Sequence, residues 1–399
     1  MNKNNLTIES LPVEIILDVL SDLTIEDLNG VCKQNKRLRG ICKEHKLTFI
    51  KNLLKKYQVD YKDPHNLIYF DFDTKKFVKQ TDDLQQVFDL YLVHYGKTII
   101  EVNARKISSI PVFPKLKELS CFLNKLTQIP SMPLLEKLDC SSNQITQIPV
   151  MPRLEVLNCR WNQLTTVPSM PLLENLNCQD NQITTISKMP RLKELNCKVN
   201  QITQIPVMPL LENLDCYHNQ ITTVPKMPLL ENLICSHNQI TTLPAMPKLE
   251  YLNCENNHLT QIPVMPLLKV LNCYRNDLTT IPKMPLLENL NCQDNQITTI
   301  SKMPRLRILN CQDNDLTTIP KMPLLEILSC QGNDLTTIPK MSRLRILNCQ
   351  DNDLTTIPKM PLLEKLHCDL DVEIPPMPKL VSVNEGGTED FEDDEDFFE

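Results

Sequence analysis

Alanine and glycine are scarce in this chain of 399 residues. Alanine occurs only at Ala104 and Ala245, which disfavours a long helical bundle, because alanine is the strongest helix former. Gly332 is the only glycine between residues 100 and 366, so this stretch has no glycine-rich loop of the kind that cradles phosphate. We therefore expect no enzymatic activity and no cofactor.

Long apolar runs and dense basic patches are also missing. The sequence has no run of about 18 apolar residues, and its N-terminus lacks an apolar core followed by a small-residue cleavage site. We therefore expect a soluble cytoplasmic protein with no membrane partner. No basic patch is dense enough to neutralise several phosphates, which excludes nucleic acid as a partner. The net charge of −7 reflects residues 385–399, which hold nine acidic residues and no basic one.

The sixteen cysteines do not resemble a disulfide framework. Fourteen of them, from Cys121 to Cys368, recur every 19 residues, with one identical position in each unit. A disulfide network needs pairs, and a metal site needs clustered ligands in tetrahedral geometry, whereas a single file offers neither. The spacing therefore predicts reduced cysteines packed in a core, without metal.

Near-copies of the segment LNCQDNQITTISKMPRLKE, residues 176–194, tile the chain from about residue 100 to 366, in about fifteen repeats. Apolar residues first alternate, as at Leu157 and Cys159, and then space out, which predicts one short strand followed by an irregular return path. A ProXxxMetPro stretch in the return path predicts an extended outer wall, because proline disfavours helix interiors and central strands. Since one unit cannot bury enough surface alone, the units must stack into a curved parallel sheet.

Two further columns have predicted structural roles. Asparagine occupies one position of thirteen units, from Asn124 to Asn352. We expect these amides to point inward and to pair with backbone groups of neighbouring coils, forming a ladder. The methionine column, from Met132 to Met360, supplies a flexible apolar filler at one point of each coil.

The pattern LxxLxCxxNxLTxIP resembles the leucine-rich-repeat consensus, with cysteine where many members have leucine. It is carried in one unit by Leu154, Leu157, Cys159, Asn162, Leu164, Val167 and Pro168. The resemblance implies an α/β solenoid, a leucine-rich-repeat horseshoe whose concave parallel sheet binds other proteins. We expect this solenoid over residues 99–384, followed by a disordered acidic tail at 385–399.

Residues 1–50 lack the repeat, and residues 11–42, LPVEIILDVLSDLTIEDLNGVCKQNKRLRGIC, resemble the F-box consensus. The resemblance implies a small all-helical module that binds the Skp-type adaptor of a cullin-RING ubiquitin ligase, while the repeats select an unknown protein substrate. The adaptor-binding residues implied are Leu11, Pro12, Ile15, Ile16, Val19, Leu20, Leu23, Leu28 and Val31. The match is imperfect, because no tryptophan follows Cys42 at the usual place.

An alternative remains open for the N-terminal region. Its helices would only cap the solenoid, and the protein would be a leucine-rich-repeat interaction scaffold without a ubiquitin role. In both cases residues 51–98 are expected to form a helical linker and cap. The order of modules and the compositional bias resemble those of F-box proteins encoded by giant DNA viruses of amoebae, which implies the host cell cytoplasm as the location.

Target binding is predicted on the concave sheet, at the two positions that follow each cysteine. Aromatic residues and arginine dominate interface energetics, and they concentrate at these positions in the first and central coils. The predicted target-binding residues are Phe122, Arg160, Trp161, Tyr217, His218, His237, Tyr274 and Arg275. Later coils have glutamine and aspartate there, so the same face turns acidic and favours a basic partner. The alternative explanation is random substitution at surface positions that neither packing nor binding constrains.

Overall fold

The computed structural model describes residues 116–385, together with residues 38, 41, 69–71, 76–78, 99–101 and 110. The chain divides into two compact units, Met1–Leu173 and Glu174–Glu399. Both units contain turns of a parallel-sheet solenoid with repeats of about 19 residues. The units hold about 14 such turns between them, close to the fifteen repeats expected.

The first unit contains seven strands among its described residues. They are β1 (Tyr69–Asp71), β2 (Lys76–Val78), β3 (Ile99–Glu101), β4 (Glu118–Ser120), β5 (Lys137–Asp139), β6 (Val156–Asn158) and β7 (Thr166–Val167). Strands β3 to β6 pair in parallel, each with the next, and Ile100 of β3 stands in register with the central leucines of β4 to β6.

Strands β1 and β2 pair antiparallel within residues 51–98, where a helical linker was predicted. Both strands are rich in aromatic and β-branched residues, the types that favour extended backbone. The rest of residues 51–98 lies outside the described part of the chain.

The second unit contains fifteen described strands. They are β8 (Asn175–Asn177), β9 (Thr185–Ile186), β10 (Glu194–Asn196), β11 (Asn213–Asp215), β12 (Asn232–Ile234), β13 (Tyr251–Asn253), β14 (Val270–Asn272), β15 (Thr280–Ile281), β16 (Asn289–Asn291), β17 (Thr299–Ile300), β18 (Ile308–Asn310), β19 (Ile327–Ser329), β20 (Ile346–Asn348), β21 (Lys365–Cys368) and β22 (Ser382–Glu385). Twelve of these strands form one parallel ladder in chain order, which skips β9, β15 and β17. On the return path, β15 pairs with β17 in parallel.

The return path of most coils turns at a Met-Pro step, although Ser342 follows the methionine in one coil. The amide of Leu154 donates to the carbonyl of Met151 at 3.1 Å, closing a β-turn with Pro152 at its second position, where the fixed φ of proline fits. No helix occurs in residues 116–385, so the extended outer wall is confirmed for this part of the chain. The α/β class expected of the solenoid does not hold there, because strands and turns without helices make up the coils of residues 116–385.

The core repeats the same columns in every coil. In one coil Leu157 and Cys159 are at most 1% exposed, and Leu164 and Met170 are fully buried. All fourteen repeat cysteines are buried free thiols, which confirms their predicted packing role. Some also donate a weak bond to the next strand, as Cys273 Sγ does to the carbonyl of Asn291 at 3.3 Å. Burial raises the pKa of twelve of these thiols, to about 12 for Cys178.

The predicted asparagine ladder is present. The Nδ2 of Asn200 lies 3.0 Å from the carbonyl of Cys197 in its own coil and 3.1 Å from that of Cys178 in the preceding coil. Its Oδ1 accepts from the amide of Ile183, also in the preceding coil, at 2.9 Å. Each ladder amide therefore ties the turn after one strand to the turn before it, and satisfies backbone groups that would otherwise be buried without partners.

Candidate functional site

We define the sheet face as the solvent side of the parallel strands together with the turn that follows each strand. One coil illustrates its four columns. Ile308 represents the strand-start column, Asn310 the strand-end column, Gln312 the post-cysteine column and Asp313 the turn column. The first three are partly exposed and alternate with buried Leu309 and Cys311, as expected for one face of a strand.

The turn column has left-handed backbone. Its φ values lie between 49° and 58° at Leu123, Ser142, Trp161, Asp180, Val199, His218, His237, Asn256, Arg275, Asp294, Asp313 and Asp351. Gly332 has φ of 63°, and a Cβ built there would lie 2.5 Å from Asp313 Oδ1, so glycine leaves space for the aspartate of the preceding coil. The sequence interpretation missed this conformation, although aspartate recurs in the column and asparagine and glycine each occur there once, and all three types tolerate it.

The predicted target-binding residues fall into two columns. Phe122, Arg160, Tyr217 and Tyr274 lie in the post-cysteine column and are partly exposed, whereas Trp161, His218, His237 and Arg275 lie in the turn column and are exposed. Phe122, Arg160 and Trp161 belong to the first unit, and the other five belong to the second. The structure thus gives two candidate patches, one in each unit.

In the first unit, the side chains of the adjacent residues Arg160 and Trp161 contact each other. The guanidinium carbon of Arg160 lies 4.7 Å from the centre of the Trp161 ring, within the range of a cation–π interaction. Trp161 is nevertheless 49% exposed, and Leu123, in the same column, is 44% exposed. This patch offers a large aromatic surface to solvent.

In the second unit, Tyr217, His218 and His237 form a cluster of rings, which we call the Tyr–His cluster. The ring of Tyr217 meets that of His237 edge-on, with centroids 5.1 Å apart, and His218 stacks near His237 at 6.4 Å. The Nδ2 of Asn256 lies 3.3 Å from Nε2 of His237, and Glu255 Oε1 lies 3.7 Å from the same nitrogen. Polar groups of the following coil therefore orient the imidazole of His237.

Tyr274 and Arg275 stand two coils further along the same unit. The guanidinium carbon of Arg275 lies 4.8 Å from the centre of the Tyr274 ring, and its Nε lies 3.1 Å from Asp294 Oδ2. The side chain of Arg275 is therefore held between an aromatic ring and a carboxylate. It marks the border between the aromatic coils and the acidic coils that follow.

The sequence interpretation did not recognise the strand-end column. Asn310 Oδ1 accepts from the amide of Gln312 at 3.2 Å, and its Nδ2 donates to Gln293 Oε1 at 3.0 Å. Asn348 makes the equivalent contacts with Gln350 and Gln331. The amide thus ends the strand and fixes the glutamine of the preceding coil. The asparagine that stands directly before eight of the fourteen repeat cysteines was the available signal.

The acidic coils carry carboxylates in two columns. Asp294, Asp313 and Asp351 are exposed in the turn column, and exposed carboxylates also follow the ladder asparagines at Asp277, Asp315, Asp334 and Asp353. Partial burial raises the pKa of Asp313, and the nearby charge of Asp294 adds to this effect. The sheet face of these coils therefore has a negative potential.

The predicted adaptor-binding residues, from Leu11 to Val31, lie outside the described residues. In the same N-terminal region, Leu38 and Ile41 are helical and buried. Within the described part of the chain, no group of three or more potential ligands could hold a metal ion. No helix found there has the length and apolar character needed to cross a membrane.

Comparisons with known proteins identify the repeats. Residues 171–209 and 228–267 match the family model of leucine-rich repeats in two copies. No curated protein matches the sequence. Among solved structures, the leucine-rich-repeat protein LIC12759 of Leptospira interrogans is 26% identical with a TM-score of 0.56, over 71% of this chain and 83% of that one.

Two further solved structures are similar. The functional domain of InlJ from Listeria monocytogenes, described as including a cysteine ladder, is 26% identical with a TM-score of 0.60, over 71% of this chain and 69% of that one. YopM of Yersinia pestis, an effector protein, shares the fold at 24% identity and a TM-score of 0.56, over 76% of this chain and 93% of that one. The solenoid therefore has repeats like those of leucine-rich-repeat proteins, a fold that typically serves as a non-enzymatic scaffold for protein partners.

Proposed function

We propose that this protein is an interaction scaffold that captures a target protein on its sheet face. The observation that carries the proposal is the concentration of exposed aromatic rings and arginine on that face, in the Tyr–His cluster and at Trp161, Tyr274 and Arg275. These residue types are enriched in interface cores and dominate their binding energy. The likeness of the repeats to leucine-rich repeats, which generally bind protein partners, also supports this role.

The side chains of these patches are also partly ordered before any partner arrives. Arg160 lies over Trp161, Arg275 is held by Tyr274 and Asp294, and His237 contacts Tyr217. Binding restricts a side chain less when its own neighbours already hold it, so the entropic cost of forming the interface is lower. This mutual packing supports a binding role for these positions over random substitution at unconstrained positions.

Substitution of the aromatic residues tests the proposal. A target is first isolated by crosslinking and co-purification with the full-length chain, and its affinity is then measured for each variant. We expect Trp161→Ala and Tyr217→Ala each to weaken binding by more than about 1 kcal/mol, as for interface hot spots, without lowering thermal stability. Lys226→Glu, on the exposed return path, is the control. Normal binding by both aromatic variants, with loss in the control, would refute the assignment.

A more specific role rests on the N-terminal segment. We propose that the protein is the substrate-recruiting subunit of a cullin-RING ubiquitin ligase, acting in the cytoplasm, which is that of the host cell if the chain is viral. The resemblance of residues 11–42 to the F-box consensus supports this role. In it, the N-terminal module binds the Skp-type adaptor while the sheet face presents the target, and other subunits carry out the chemistry.

Co-purification tests the ligase role directly. Skp and cullin subunits should accompany the full-length chain, and Leu11→Ala combined with Pro12→Ala should remove them, because a desolvated apolar helix face supplies most of such an interface. Trp161→Ala should retain the adaptor while losing the target. If the double variant recovers as much adaptor as the unmodified chain, the protein is a scaffold without this role.

A further inference from the structure

Three neighbouring strands of the second unit carry an apolar row on the sheet face. Ile308, Ile327 and Ile346 occupy the strand-start column and stand in register across β18, β19 and β20. Each is partly exposed, while the next residue along its strand is buried. Asn289 precedes this row in the column and Lys365 follows it, so the row is limited to three coils.

A polar strip runs beside the apolar row and is occupied by its own hydrogen bonds. Asn310 donates to Gln293, Gln312 donates to Ser329 Oγ at 2.6 Å, and Asn348 donates to Gln331. Because these amides already bond to one another, the strip has little demand for polar groups from a partner. It separates the isoleucines from the turn column.

The turn column beside the apolar row carries exposed aspartates in two of its three coils, at Asp313 and Asp351, with Gly332 between them, and exposed Asp294 lies in the coil before the row. The raised pKa of Asp313 reflects burial together with the charges of Asp294 and Asp351. Arg275 pairs with Asp294 at one end of the row. Among the described residues, no basic side chain forms an ion pair with Asp313 or Asp351, so these carboxylates can bind cationic groups of a partner.

The spacing of the coils favours a helical partner over an extended one. Parallel strands lie about 4.8 Å apart, close to the helical pitch of about 5.4 Å, so a helix that crosses the strands presents one residue per turn to each coil. An extended chain repeats every two residues, at about 6.6 Å, and loses step with the coils. The apolar and acidic rows are five residues apart along the chain, at most about 17 Å, whereas a helix is about 10–12 Å wide, so its basic row reaches the turn column through the long side chains of lysine or arginine.

We propose that the sheet face of coils 289–353 binds an amphipathic helix that carries one apolar row and one row of lysine or arginine. The helix crosses β18, β19 and β20, with its apolar row on Ile308, Ile327 and Ile346 and its basic row on the acidic turn column. This inference rests on the proposed function of the sheet face and names the chemistry of its partner.

Synthetic peptides test the inference on the full-length chain. The probe is a labelled helix of about five turns, with leucine at positions i, i+3 or i+4 and i+7, and lysine on the adjacent stripe. One control peptide has the same composition in scrambled order, and another has glutamate in place of lysine. Fluorescence anisotropy at low and at physiological salt gives the affinities.

Two variants separate the apolar and acidic contributions. The triple variant Asp294→Asn, Asp313→Asn and Asp351→Asn keeps residues suited to the left-handed turn, as Asn256 shows in the same column. It should weaken probe binding at least tenfold at low salt and flatten the salt dependence. Ile327→Asn places in the row the residue found at Asn289, and should weaken binding at least fivefold without changing the salt dependence. Lys321→Glu, on the return path, should change affinity less than twofold.

Several outcomes would overturn the inference. They are no saturable binding of the probe at millimolar concentration, equal binding of the scrambled or glutamate peptide, or normal binding by both variants. The proposed function is tested separately with the isolated target. If Tyr217→Ala releases that target while the aspartate and isoleucine variants retain it, the helix inference fails and the scaffold function stands.

Discussion

Replacing one ladder asparagine should destabilise the solenoid locally. Asn238 is 8% exposed, and its Oδ1 accepts from the amide of Ile221 at 2.9 Å. Its Nδ2 lies 3.0 Å from the carbonyl of Cys216 and 3.1 Å from that of Cys235. In Asn238→Ala the amide of buried Ile221 loses its acceptor, whereas the two carbonyls keep bonds from the neighbouring ladder residues Asn219 and Asn257.

The expected magnitude follows from these contacts. An unsatisfied buried N–H costs about 1–3 kcal/mol, and the lost donor bonds add roughly 1 kcal/mol, so we expect a loss of about 3 kcal/mol. Amide hydrogen exchange of Ile221 should therefore accelerate about a hundredfold, since each 1.4 kcal/mol is about a factor of ten. Denaturant unfolding should show the same loss in its first transition.

Gln239→Ala is the matched control, because this neighbour of Asn238 is exposed. Its stability should stay within about 0.5 kcal/mol of the unmodified protein. A loss below about 1 kcal/mol in Asn238→Ala, or an equal loss in the control, would refute the argument that the ladder amides hold the turns together.

Three further perturbations have defined outcomes. Val199→Asn should raise stability by about 1 kcal/mol in denaturant unfolding, since a β-branched residue is strained at φ of 53°, while the same change at Val207, outside the left-handed turn, should give no gain. The fourteen ladder cysteines should be alkylated far more slowly in native buffer than in urea, as read by mass spectrometry, because burial blocks access and raises the pKa of thiols such as that of Cys178; rapid native labelling would contradict the buried position. The pKa of Asp313 is raised in the folded protein, so the folded state disfavours the ionised carboxylate. This free-energy cost is present at a pH above the pKa of Asp313 in the folded state and absent at a pH below its pKa in the unfolded state. Asp313→Asn should therefore stabilise the protein at pH 7 by less than about 1 kcal/mol, given the partial exposure, and the gain should disappear near pH 3; a gain independent of pH would point to another cause.

The periodicity of the sequence was sufficient to predict the core. A side-chain type that recurs once per coil must occupy equivalent surroundings in each coil, so repetition itself identified the buried cysteine and methionine columns. The chemistry of asparagine, a donor and an acceptor on one short side chain, then predicted the ladder. The structure adds that Oδ1 bonds an amide of the preceding coil, as Asn200 does to Ile183, which no spacing rule specifies.

The backbone of the turn column could not be predicted in the same way. Aspartate and asparagine in this column suggest left-handed backbone, but Leu123, Trp161 and Val199 occupy the same position and obscure the signal. The surrounding ladder bonds hold the turn in this conformation whichever residue is present. For the same reason, sequence alone did not distinguish the exposed turn residues from the partly buried post-cysteine residues among the predicted target-binding positions.

The ladder asparagines bond between neighbouring coils, and this affects how the number of repeats can change during evolution. The side-chain amide of a ladder asparagine joins its own coil to the one before it, as in the contacts of Asn257 with Cys254 and Cys235. Loss or duplication of one whole repeat therefore brings together two coils that make the same asparagine bonds as the original neighbours. The array can lengthen or shorten by recombination between its near-identical repeats, and each such event shifts the position of one binding patch relative to another without any new packing arrangement.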